Sequence, residues 1–215
     1  MLRKMNELAA LVGGLSEPSK MPGFSYGTPA KECGVGSILR TRAGSVCSKC
    51  YARKGMYVFP VVQAAQYKRL KILTENLSAW TTDMTELLRR KYFRKTGDAR
   101  VFRWHDSGDI QSAAHLGAIV RIAQNLPDIR FWLPTKEYAL VRQYVRDNGS
   151  FPANLVVRVS APMIGQENVA IPGTVSSTVG YENGFQCEAY IRGGKCGDCR
   201  ACWKKEIVSV NYPQH

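Results

Sequence analysis

Between residues 100 and 160 the chain alternates short β-forming runs with amphipathic stretches, and that alternation leaves few folds open. The runs at 100–104, 129–133 and 154–159 have strand composition and turn residues at their ends. The stretch 112–124 sets Leu116, Ile119, Val120 and Ala123 on one helical face, and 137–147 does the same with Leu140, Val141, Tyr144 and Val145. Strands joined through helices of this length run parallel. The expected class is therefore α/β, a partial, shortened parallel barrel or sheet built from βα units. A further strand is expected at 175–181.

Around that core the sequence reads less regularly. A short amphipathic helix within 1–15, carrying Leu8, Leu11 and Val12, is expected as a peripheral element ended by Gly13-Gly14. Residues 16–42 are rich in Gly, Pro, Ser and Lys and read as an irregular arm. A helical region follows at 61–95, interrupted near Asn76, with Leu70, Leu73, Leu77, Trp80, Met84, Leu87 and Leu88 forming its apolar stripe. The 215 residues form one domain in this reading. Residues 1–60 are the arm, 61–160 the helices and βαβαβ core, and 161–215 an irregular Cys-rich segment.

Hydrophobic content of 45% with 22% charged residues excludes a disordered chain. No apolar run approaches the roughly 20 residues of a membrane span, and no signal-peptide core is apparent, so a cytoplasmic protein without membrane contact is expected. The 30 Lys and Arg against 17 Asp and Glu give a formal charge of +13, which suits a small anionic substrate or nucleic acid. The densest basic run, 89–95, reads as a solvated helix face or as a nucleic-acid contact.

In parallel α/β sheets functional groups gather where the strands end, because those ends open on one side. The first run ends in His105-Asp106-Ser107-Gly108-Asp109 and the second in Pro134-Thr135-Lys136-Glu137. His105, Asp106 and Asp109 are the acid-base candidates, although Asp109 also suits a plain helix cap. Lys136 can hold an anion or, when desolvated, act as a base.

All seven cysteines fall into two groups: Cys33, Cys47 and Cys50, then Cys187, Cys196, Cys199 and Cys202. An odd number at such short spacings suits metal ligation better than disulfide pairing. The CxxCxxC run of the tail favours a 4Fe-4S cluster over zinc, which more often takes two separated pairs. Three thiolates in the first group would leave one iron of a cluster open as a Lewis acid. The spacing admits one cluster or two, and also a cluster drawn from both groups.

Several segments resemble a family of phage and prophage proteins known as gene product 88: Lys20-Met21-Pro22-Gly23, Cys33, Cys47-Ser48-Lys49-Cys50-Tyr51-Ala52, Arg103 to Asp109, Pro134-Thr135, and Cys187 to Trp203. The resemblance implies a protein of the host cytoplasm. More distantly, Cys47, Cys50 and Tyr51 are similar to the second half of the CxxxCxxC motif of radical S-adenosylmethionine enzymes. That likeness implies a cofactor role for Tyr51, and for Ser107 and Gly108 in the turn that binds the methionine amino group. The departure is Cys33, which stands 14 residues before Cys47 where that motif has four. Iron-sulfur hydrolytic chemistry, radical chemistry, and a zinc- or cluster-stabilised nucleic-acid-binding module are the three functional expectations.

Overall fold

The computed structural model describes residues 3–168 and 171–214. The first two residues of the expected amino-terminal helix lie outside them. In chain order the elements are α1 (Met5–Leu11), β1 (Phe24–Tyr26), α2 (Gly34–Leu39), α3 (Pro60–Glu75), α4 (Leu77–Tyr92), β2 (Val101–Trp104), α5 (Ala113–Asn125), β3 (Arg130–Thr135), α6 (Tyr138–Asn148), β4 (Leu155–Ser160), β5 (Val175–Val179), β6 (Phe185–Gln186) and β7 (Ser209–Tyr212). The strands form one sheet in the order β1-β2-β3-β4-β5-β7-β6. Every neighbouring pair is parallel. It is an open sheet with β1 and β6 at its edges, so the barrel half of the expectation gives way to the sheet half.

The long helical region breaks where the sequence places the break. Asn76 leaves helical geometry, and its side chain accepts from the Ala79 N–H at 3.0 Å, capping α4. Strand alternation then sorts the core into two faces. Phe102, Trp104, Phe131, Leu133, Leu155 and Val157 pack with the helices, while Val101 and Trp132 pack against Trp203 of the tail. Trp203 fixes that cover by donating its indole N–H to the Phe102 carbonyl at 2.9 Å.

Three strands lie beyond the sequence expectation: β1, β6 and β7. β1 pairs with β2 because Gly23 lets the backbone come close; a Cβ there would stand 2.0 Å from the Val101 carbonyl oxygen. The arm is thus tied into the sheet. The amino-terminal helix is likewise not peripheral, since Leu8 and Val12 belong to the main core and Tyr26 of β1 donates to the Val12 carbonyl at 2.8 Å. Among the described residues no helix is long and apolar enough to cross a membrane.

Candidate functional site

Parallel pairing brings the ends of β2, β3 and β4 to one rim, where they are stitched together by buried polar contacts. Asp109, after β2, accepts on one oxygen from the Ile110 N–H at 2.8 Å and from Thr135 Oγ1 at 2.6 Å. Its other oxygen accepts from the Lys136 N–H at 2.9 Å. Burial pushes the Asp109 carboxyl up to about 6 against the pull of these donors, placing its proton equilibrium close to neutrality. Lys136 donates Nζ to the Ala161 carbonyl beyond β4 at 3.0 Å. Burial lowers its basicity, and nearby Cys47, Asp109, Cys50 and Cys33 work the other way.

The first cysteine group lies on this rim. Its loop is anchored by the Val46 N–H donating to the Pro162 carbonyl at 2.9 Å and by a bridge between Ser45 and Met163. Gly36, inside α2, marks the space between two of the thiols. A Cβ built on it would stand 3.6 Å from Cys33 Sγ and 3.6 Å from Cys47 Sγ, which puts the two sulfurs within about 7 Å of each other. Burial raises the Cys33 and Cys47 thiols, and Cys50 adds to both shifts. Glu137 accepts from the Val35 N–H at 2.9 Å and so moors α2 to β3.

The rest of the β2 turn faces elsewhere. Asp106 accepts from Ser25 Oγ at 2.9 Å and from the Tyr57 hydroxyl at 3.3 Å, and its backbone carbonyl accepts from the Tyr51 hydroxyl at 2.6 Å. Gly108 sits at φ +81°, so close to β1 that a Cβ would fall 2.0 Å from Thr28 Oγ1. Among the described residues the buried hydroxyls of Thr28 and Ser107 have no hydrogen-bond partner. His105, at φ 54°, turns its ring toward His115 of α5, with ring centroids 5.4 Å apart. Burial, with His115 close by, holds it neutral. The structure therefore gathers Asp109, Lys136 and the three cysteines, and seats His105 in the helix layer.

The second cysteine group gathers on the sheet face that lacks helices. Cys196 feels Cys187 and Cys199, and Cys202 feels Cys187. Cys202 Sγ is 3.2 Å from the Tyr212 hydroxyl, and burial pushes its thiol up to about 11. Two arginines sit beside this group. Arg158, fully buried on β4, donates to the carbonyls of Ser176, Ile207, Ala201 and Lys204 at 2.7 to 3.3 Å. Arg103, on β2, stacks 4.5 Å over Trp132 and donates to the Tyr51 hydroxyl at 2.9 Å. Among the described residues neither guanidinium pairs with a carboxylate, and the Nε of each is buried without a partner.

All seven thiols are free and half-buried. They fit a cluster on three counts: Cys33 and Cys47 close together at Gly36, two separate thiol gatherings, and beside each a cation that among the described residues makes no ion pair. Among the described residues no three His, Cys, Asp or Glu side chains close around one point tightly enough for a single metal ion. Arg103, Arg158 and Glu137 were outside the sequence expectation. The available signal was a basic residue inside an apolar parallel strand, a position that is rarely tolerated without a purpose.

These features define an open parallel α/β protein whose arm and tail bring thiol groups to the carboxyl rim and to one face of its sheet. The chain belongs to the gene product 88 family of phage proteins, whose family model matches residues 2–205. No curated protein and no solved structure matches it.

Proposed function

We propose that this chain is an iron-sulfur enzyme with a three-thiol 4Fe-4S site at the rim, formed by Cys33, Cys47 and Cys50, and a four-thiol site formed by Cys187, Cys196, Cys199 and Cys202. The observation that carries the reading is the meeting of Cys33 and Cys47 around Gly36, within electrostatic reach of Lys136 and Asp109. A cluster held by three cysteines supplies one open iron able to act as a Lewis acid toward water or a substrate oxygen. Within the site, Lys136 offsets thiolate charge and attracts an anionic substrate group. Asp109, with both oxygens held by donors and a carboxyl near neutrality, accepts and returns a proton. Glu137 holds α2 in place. Hydrolytic or other non-redox chemistry on a small anionic molecule suits this set of groups. The CxxCxxC spacing of the tail favours a cluster over zinc, which more often takes two separated pairs.

Two separate gatherings, each electrostatically coupled within itself, favour two clusters over one shared between them. The deciding experiment is iron and acid-labile sulfide analysis, with an absorption spectrum, on protein purified without oxygen. About eight of each per chain is the expected result. Zinc without sulfide would sink the reading.

A second reading, radical cleavage of S-adenosylmethionine, is supported by chain order. The cysteine loop follows β1 directly, and Ser107-Gly108-Asp109 closes the neighbouring strand β2. It predicts release of 5'-deoxyadenosine under a low-potential reductant; no release from cluster-loaded protein rejects it.

A further inference from the structure

Between Glu32 and Glu75 the chain has eight Lys and Arg residues and no Asp or Glu. Arg69 is turned inward, donating to the Gly13 carbonyl and Ser16 Oγ, and Arg53 is half-buried; the other six are exposed. The same stretch leaves aromatic rings in solvent, with Tyr51 at 51%, Phe59 at 52% and Tyr67 at 41% exposure. The denser basic run at 89–95 is different, because much of it is engaged within the fold. Arg89 and Arg90 clasp Glu86 at 2.7 and 2.6 Å, and Lys91 and Lys95 lie over the Phe24 ring.

A cavity of about 310 Å³ opens in the arm surface, lined by Tyr57, Tyr67, Gln63, Gln66, Lys31 and Arg53, and the Tyr67 hydroxyl donates to the Glu32 carboxylate at 3.1 Å. That volume lies at the low end of small-molecule sites. Gln66, one of the lining residues, is 4% exposed. The Tyr57 hydroxyl also donates to the Asp106 carboxylate at 3.3 Å.

We propose that this surface binds single-stranded nucleic acid, its cations on the phosphates, its exposed rings under the bases, and one unstacked base in the Tyr57–Tyr67 cavity. Flat rings beside cations are what a strand with accessible bases recognises. The paired amides offer both donors and acceptors to a base edge. A duplex keeps its bases stacked and out of reach of the cavity. A second copy of this chain would bring the same positive field to the same face, and the polar cavity offers nothing to an acyl chain. None of its contacts is a cysteine, and the residues its test changes, Lys54, Lys68 and Tyr67, lie outside the segment from Cys33 to Cys50.

The test is fluorescence anisotropy on the purified full chain with a single-stranded oligonucleotide of about 12 residues and the matching duplex. Co-sedimentation with phosphatidylserine vesicles runs alongside. Contact with about four phosphates predicts roughly a 50-fold loss of affinity between about 50 and 200 mM salt. Lys54→Glu with Lys68→Glu, both exposed and away from the cysteines, is expected to weaken binding about tenfold or more. Tyr67→Ala is expected to cost at least about fivefold at an unchanged salt slope. Arg94→Glu with Arg121→Glu makes the same change in net charge outside the arm and is expected to leave affinity within about twofold. Absent binding, equal affinity for the duplex, binding to vesicles in preference to the oligonucleotide, or an equal loss from the outside pair would each overturn the proposal. Thermal melts of every variant confirm that the fold is intact.

Discussion

Gly36→Ala separates the metal reading from ordinary folding energetics, because it moves the two in opposite directions. Gly36 lies inside α2 at a backbone geometry that alanine adopts freely. Alanine in a helix interior is favoured over glycine by about 1 kcal/mol. Against this, the new Cβ meets Cys33 Cβ at 3.0 Å, a contact that a shift of a few tenths of an ångström relieves. The metal-free protein is therefore expected to keep its stability within about 1 kcal/mol. Cluster loading has no such relief, since the methyl stands in the space between Cys33 Sγ and Cys47 Sγ, 3.6 Å from each. Anaerobic purification followed by iron and sulfide analysis should show loss of about half the iron, with the tail group filled as an internal control. Full iron content together with an unchanged melting temperature would refute the assignment of that space to a cluster.

Three further outcomes follow from the same geometry. Asp109, raised from 3.8 to about 6 by burial, favours the folded state when protonated, so its contribution is full below pH 4 and lost as pH rises through 6. Denaturant melts from pH 4 to 7 should show the native protein losing about 2 kcal/mol relative to Asp109→Asn, and parallel curves for the two proteins would reject the shift. Cys47→Ala and Cys202→Ala should each remove about four irons without disturbing the other group, as read by iron analysis; loss of all iron from either single variant would instead favour one shared cluster. Arg158→Met leaves four carbonyls without their donor and should cost at least about 3 kcal/mol in thermal or urea melts, with faster proteolysis of the tail; a cost below about 1 kcal/mol would show that the tail does not depend on it.

The βα alternation between 100 and 160 was legible because each element there carries its own period, and the strand-end groups followed from parallel pairing. Lys136 and Asp109 were found in this way. What escaped reading has a physical reason in each case. β1 is three residues long and depends on the Gly23 backbone meeting Val101, a long-range contact with no local pattern. β6 and β7 are short strands embedded in a loop-rich tail. The amino-terminal helix looked peripheral because its apolar stripe is narrow, yet Leu8 and Val12 close the core beside Tyr26 and Trp80. His105 stood beside two carboxylates in sequence, but its positive φ swings the ring to the opposite side, toward His115. The spacing of the cysteines gave their grouping, whereas their neighbours Arg103 and Arg158 came from strands far away in the chain.

Among the described strands β7 comes last in chain order, yet it sits between β5 and β6 in the sheet. Cys187 is tied to it directly, its N–H donating to the Asn211 carbonyl at 2.8 Å. On a translating ribosome Cys187 therefore lacks its partner strand until residue 211 has left the exit tunnel, whereas the Pro162–Met163 partners that anchor the first cysteine loop through Val46 and Ser45 emerge well before it. The two thiol groups are thus assembled at different times, the rim first and the tail last. A nascent chain halted in the 190s would carry the first thiol group on a sheet whose second face is still bare.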